Sequence, residues 1–120
     1  MAFTENMQTR TYISGSAITQ FTFVTLAADG QVDKTGDGLR TDGVALFGAS
    51  GANQAIPVAY DGRVTVLCGG TFSRGDDIAS DADGKAVSAA SSDVILGYAL
   101  EDGASGRIVT IELSRAETVA

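Results

Sequence analysis

The chain has 120 residues, one cysteine, no histidine, and a formal charge of −7 from 15 acidic and 8 basic residues. Such a length supports one domain with a modest core. A lone thiol without histidine excludes a disulfide framework, the usual zinc sets and the common nucleophile triads, and scattered bases under a net negative charge exclude a nucleic-acid surface, which needs clustered Lys and Arg.

Residues 1–11 are polar and without periodicity, and read as a flexible N-terminal arm. From Tyr12 the composition turns strand-like, with Ile18, Phe21, Phe23, Val24 and Leu26 among threonines. Ala28-Asp29-Gly30 is a hairpin turn, since glycine tolerates positive φ. Val32 begins a return strand, and Gly43 to Phe47 is a short apolar strand. Gln54 to Tyr60 is another; Pro57 within it removes a ladder donor and predicts an edge or a bulge. Asp61-Gly62 predicts a further turn before Arg63 to Cys68 alternates into the core. Ile78, the Asp83-Gly84 turn, Val94 to Leu100 and Arg107 to Leu113 follow, with Val87 to Asp93 either a helical turn or a loop. Residues 114–120 read as a loose C-terminal tail.

The pattern repeats. Asp29-Gly30 recurs as Asp83-Gly84 (83 − 29 = 54) and Gly43-Val44-Ala45-Leu46 as Gly97-Tyr98-Ala99-Leu100 (97 − 43 = 54). Gly15, Ile18 and Val24 match Gly69, Phe72 and Ile78 at the same spacing. Gly48-Ala49-Ser50-Gly51 recurs as Gly103-Ala104-Ser105-Gly106 (103 − 48 = 55), which predicts a one-residue insertion and sets Ile56 and Val58 on Ile111 and Leu113. A fixed period identifies the structural unit. The expected architecture is a single all-β domain over 12–113, a small β-barrel or sandwich built from two similar halves, about 15–60 and 69–113.

The sequence carries no reactive constellation. Cys68 follows Val66-Leu67 in an apolar run and reads as a small buried thiol. Ser50 and Ser105 lack nucleophile-elbow spacing and read as turn residues. Asp76, Asp77, Asp81 and Asp83 crowd before Gly84 as a calcium loop would, but the later glutamate is missing and a solvated turn is the better reading. Lys85, beside the Asp83-Gly84 turn, is a poor match to the hairpin lysine of a swinging-arm domain. No catalytic residue, metal ligand or cofactor is expected. No apolar run nears the twenty or so residues of a membrane span and no signal core opens the chain, so a soluble protein that is not exported is expected.

The run from Ser14 to Leu113, above all Gly75-Asp76 through Val87 followed by Gly97-Tyr98-Ala99-Leu100, resembles the small capsid decoration, or cement, proteins of tailed bacteriophages. The first half departs from the pattern at Phe21-Thr22, where the second has Gly75-Asp76. The resemblance implies a non-enzymatic virion protein on the outer surface of the expanded capsid. It would bridge capsomers, with the major capsid protein as partner, in a homo-oligomer for which a trimer is favoured. Phe3, Met7, Arg10 and Tyr12 are then the candidate capsid contacts, and open strand edges could pair with a capsid strand. The alternative is a receptor- or carbohydrate-binding module of a fibre or tail, with Tyr60 or Tyr98 against the sugar.

Overall fold

The computed structural model describes residues 5–119, with side chains over 8–113. Among these residues it is all-β: β1 (Glu5–Ser14), β2 (Phe23–Leu26), β3 (Gln31–Lys34), β4 (Gly43–Ala45), β5 (Ala55–Leu67), β6 (Asp77–Ser80), β7 (Ala86–Ser88), β8 (Val94–Ala99) and β9 (Ile108–Val119). The strands form one mixed sheet in the order β1-β3-β2-β4-β5-β9-β8-β6-β7, and β1 pairs with β5 as well. The all-β expectation therefore holds. The segment after Val87 is a strand end and a loop, and not a helical turn.

The pairings run in two circuits that share β5. The first passes through β1, β3, β2, β4 and β5 and returns to β1; the second runs from β5 through β9, β8, β6 and β7 and is closed by a parallel bridge between Cys68 and Ala86. β3 meets β1 only at Ile13 and Ser14, and the Cys68 bridge meets β7 only at Ala86, so in the described pairings most of β1 and the end of β7 are paired on one side alone and keep an edge that could take an added strand.

The internal repeat is visible rung by rung. Phe23↔Val44 and Val24↔Gly43 become Asp77↔Tyr98 and Ile78↔Gly97, an offset of 77 − 23 = 54. The β2–β3 rungs Val24↔Lys34 and Leu26↔Val32 become Ile78↔Ser88 and Ser80↔Ala86 at the same offset. The bridge Ile18↔Ala49 becomes Phe72↔Gly103, so the offset is still 54 where the sequence match placed it at 55. In the closing strand Ala45↔Val58 becomes Ala99↔Ile111, and 111 − 58 = 53. The second copy has therefore lost a residue in that turn. The two Gly-Ala-Ser-Gly runs are not structural equivalents, and Val58, not Ile56, corresponds to Ile111.

The repeat also starts earlier than expected. Rungs Arg10↔Val58 and Tyr12↔Ile56 between β1 and β5 reappear as Val64↔Ile111 and Val66↔Val109 between β5 and β9. Residues 5–11, expected in an arm, are thus extended in the opening strand of the first unit, where they pair with β5 through a ladder whose register shifts between Glu5 and Thr9. Residues 1–4 lie outside the described residues. The expected tail is also extended to Val119, with Val94↔Val119 and Ile95↔Thr118 as rungs. No reversal occurs at Asp61-Gly62: Gly62 takes φ 99° inside β5, because the flanking segments pair with different neighbours and the strand can run on. Pro57 lies opposite Thr11 of β1, just past the end of β4; its carbonyl accepts the Leu46 N–H, and its missing N–H falls beyond that ladder.

Each unit packs equivalent positions. Ile18, Val24, Val32, Ala45, Ala49, Ile56 and Val58 form the smaller cluster. Six of the matching positions, Phe72, Ile78, Ala86, Ala99, Val109 and Ile111, fall in the larger one. That cluster also takes in Phe23, Val44 and Ala59, the residues alternating with Val24, Ala45 and Val58, so these side chains leave the first unit's core on its outer face and are buried against the second unit.

Left-handed backbone recurs in the same places: Gly30 with Gly84, Gly38 with Ser92, Asn53 with Gly106, and Phe21 (φ 65°) with Gly75 (φ 91°). Phe21 is unusual, since a bulky residue there costs about 1–2 kcal/mol. Phe21→Gly is expected to change unfolding free energy by no more than about 1 kcal/mol, relief of strain offsetting the half-buried ring and the flexibility of glycine. Phe23→Ala, at a fully buried site, should lose about 3–5 kcal/mol. Urea unfolding midpoints of the two variants check the contrast. Deleting residues 1–11 removes most of the β1–β5 ladder and should lower the melting temperature by more than about 5 °C, measured by circular dichroism.

Candidate functional site

Arg10 and Tyr12 stand on the face of β1 that carries their rung partners Val58 and Ile56, because paired residues in an antiparallel ladder project to the same side. Tyr60 continues that alternation two residues beyond Val58, and Asp42 precedes β4. The four side chains line a depression of about 220 Å³. Tyr12 packs against the first unit's apolar cluster, so the depression sits at the open end of that core. The Arg10 guanidinium lies 5.2 Å from the centroid of the Tyr60 ring, a cation–π arrangement. The Tyr60 hydroxyl donates to Gln8 Oε1 at 2.9 Å, and Asp42 Oδ2 accepts the Leu26 N–H at 2.6 Å. These bonds fix the rim but bring no base to a nucleophile.

The structure brings together two of the four residues predicted as capsid contacts, Arg10 and Tyr12. Phe3 lies outside the described residues, as does the side chain of Met7. Sequence reasoning missed Asp42 and the placement of Tyr60 beside them. The alternation Ile56-x-Val58-x-Tyr60 was a usable signal, but it locates Tyr60 only once the β1–β5 register is known. Tyr98, the other tyrosine considered, stands 45% exposed in the second unit, on a rung with Asp77 and Glu112.

Several of the other residues weighed for chemistry have structural partners. Asp81 Oδ1 accepts the N–H groups of Asp83 and Lys85, and Asp76 Oδ2 accepts that of Ser73, so these carboxylates cap turns. Among the described residues no group of three or more His, Cys, Asp or Glu could hold a metal ion. Lys85 is half-buried just before β7, between the Asp83-Gly84 turn and the strand, and not at the exposed hairpin tip that a carrier lysine needs. Ser50 Oγ accepts from Gln54 Nε2 at 2.7 Å within its turn.

Cys68 is fully buried at the position that Ser14 holds in the first unit (68 − 14 = 54). Ser14 Oγ donates to the Gly51 carbonyl at 2.8 Å and accepts the Gln54 N–H at 3.1 Å. Burial pushes the Cys68 thiol above its usual value, outweighing a hydrogen bond with the Ala104 backbone and the Arg107 charge.

No protein-family model matches the chain, and no curated protein does. A solved structure does: the crystal structure of head fiber gp8.5 N base in bacteriophage phi29 superposes with a TM-score of 0.77 at 21% identity, over 95% of this chain and 99% of that one. The likeness spans both units, and at that identity what it establishes is a shared fold.

The thiol supplies a prediction. A raised folded pKa holds the proton more tightly in the native state, so the associated stability is complete below the ordinary thiol value of 9.0 and is lost as pH rises through the folded value. Wild type should lose stability above pH 9 more steeply than Cys68→Ser, compared by urea unfolding across pH 8–11. The Ser variant itself should cost no more than about 1–2 kcal/mol at pH 7, since the equivalent site already accommodates a hydroxyl. Native protein should resist iodoacetamide at pH 8 and react once unfolded.

Proposed function

We propose that the chain is a non-enzymatic structural module of a phage virion, seated on the outside of the head as the base of a fibre-like appendage. The observation that supports this reading is the fold shared, end to end, with the N base of a head fiber. The side-chain chemistry is compatible with it: no histidine, a buried thiol, and carboxylates engaged in turns. A module of this kind is held by contact area and not by turnover. Its affinity for the shell depends on how completely a patch is desolvated and how well it is shaped.

A second reading is capsid cement. It rests on the resemblance of Ser14 to Leu113 to decoration proteins, and in it the same contacts bridge capsomers, so the expanded shell opens only after they break. In both readings the major capsid protein is the partner, the chain is a homo-oligomer with a trimer expected, and Phe3 and Met7 are assigned to the shell. The second side of β1 is paired only at Ile13 and Ser14, so strand addition along its remaining edge can join side-chain contacts in the attachment.

The test uses heads of the encoding phage stripped of this chain. Purified protein should co-sediment with expanded heads, and labelled antibody should mark discrete sites on their exterior while the head melting temperature stays unchanged. A rise in that temperature transfers the role to cement. Retention on a glycan column without head binding would move it to a receptor-binding module. Failure to bind heads or glycans would overturn the virion reading.

A further inference from the structure

The rung-by-rung repeat makes each unit a guide to the other. In the second unit the positions equivalent to Arg10, Tyr12 and Asp42 (offset 54) and Tyr60 (offset 53) are Val64, Val66, Leu96 and Leu113. All four are 4% exposed or less and lie in the larger apolar cluster, together with Phe23, Val44 and Ala59 from the first unit's outer face. The open end of the second core is therefore covered by the outer face of the first unit. In the first unit the same end is the solvent-facing depression of Arg10, Tyr12, Asp42 and Tyr60.

The rim follows the same rule. Across the junction the Phe23 N–H donates to the Gly84 carbonyl, the Leu67 N–H to the Phe21 carbonyl, and the Gly38 N–H to the Ser80 carbonyl, all at 2.7–2.9 Å. The first-unit counterparts of Gly84, Leu67 and Ser80 are Gly30, Ile13 and Leu26. A Cβ on Gly84 would lie 2.6 Å from the Phe23 carbonyl oxygen, whereas one on Gly30 would meet nothing within 4 Å. Ile13 and Leu26 are 41% and 42% exposed, two of the large apolar side chains that the fold leaves in water. On the far side of the molecule, the counterparts of Phe23, Val44 and Ala59 are Asp77, Tyr98 and Glu112. Asp77 and Tyr98 are exposed; Glu112 is half-buried and accepts from Arg63 Nε at 3.3 Å.

We propose that copies of this chain associate head to tail through a repetition of their own internal junction. The second unit's outer face, with Tyr98 flanked by Asp77 and Glu112, docks onto the Arg10, Tyr12, Asp42 and Tyr60 depression of the next copy. The occupant is argued from continuity with an interface already present inside each chain and from charge. Arg10 meets a face that presents the exposed carboxylate of Asp77, with that of Glu112 engaged by Arg63, while the opposing carboxylate of Asp42 is turned to the Leu26 N–H. Ile13 and Leu26 become rim contacts. The contact is heterologous, so it builds a ring if the rotation closes and a filament if it does not. It is weaker than the internal junction, which has an apolar plug and a covalent link that supplies effective concentration. It is also salt-sensitive, because partly exposed charges carry it. This deepens the homo-oligomer assigned above but does not depend on a capsid.

The experiment is sedimentation equilibrium of the full chain at low salt, up to about 0.5 mM, a range that detects even a millimolar-class contact. Wild type should exceed the 12.2 kDa monomer mass, and should dissociate toward it in 1 M NaCl, where the Debye length falls to about 3 Å. Arg10→Glu alone and Asp77→Arg alone should remain monomeric; Asp77→Arg, at an exposed site, should leave the melting temperature unchanged, and Arg10→Glu, which gives up the cation–π contact with Tyr60, should lower it by a few degrees at most. An equimolar mixture of the two, and the double variant, should regain the wild-type mass. A monomeric wild type, or single variants that assemble as wild type does, would overturn the proposal. So would a mixture and a double variant that stay monomeric, including the case in which a single variant fails to fold. Head binding by a monomeric wild type would sink head-to-tail docking and leave the virion reading standing. Oligomers that ignore heads would do the reverse.

Discussion

The structure depends on β5. One 13-residue strand closes the first circuit with its N-terminal half and opens the second with its C-terminal half, so neither unit can be completed without it. A strand can serve two circuits only if its side chains change surroundings along its length. β5 does this across Asp61-Gly62, where burial falls off and Gly62 takes a positive φ, before Val64 and Val66 enter the second core. A residue with a Cβ would be strained at that dihedral. The shared strand also fixes the relation between the units, and with it the burial of Phe23, Val44 and Ala59.

Two copies of a motif in one chain cannot be identical, because the junction between them makes each copy's environment different. Positions facing a unit's own core keep their character: Val24 and Ile78, Ala45 and Ala99, Val58 and Ile111 are all buried and apolar. Positions facing the other unit diverge. Val66 is core where Tyr12 lines a depression, and Val44 is core where Tyr98 is exposed. The divergence follows what water reaches: burying Arg10 or Asp77 without a partner would cost several kcal/mol, on the order of the whole margin of stability. The polar and aromatic character of the two free faces is what the repeat leaves when its ends are not joined to another unit.

In the proposed function the protein's chemistry is contact. Of the four clustered aspartates Asp76 and Asp81 cap turns, the thiol takes the place of a serine, and the fold is shared with a head fiber base. The two free faces are the part of the surface that the repeat singles out.

The sequence by itself determined the strand-rich composition, the turns at Asp29-Gly30 and Asp83-Gly84, and the existence of two units. Those rest on local chemistry, glycine at positive φ and β-branched alternation, which is legible one segment at a time. It also carried Cys68 as a buried thiol, since an apolar run without a base leaves little else. The tertiary structure alone decided the register of the closing strands. Placing Ile56 or Val58 on Ile111 differs by two residues, which leaves every side chain on the same face, so hydrophobicity cannot tell the two apart, and the repeated Gly-Ala-Ser-Gly favoured the wrong one. It alone decided that β1 belongs to the repeat, because a polar segment such as Thr9 to Thr11 becomes a strand through the neighbours that pair with it. And it alone decided that Arg10, Tyr12, Asp42 and Tyr60 share one depression: their proximity comes from long-range rungs, and no spacing along the chain encodes those.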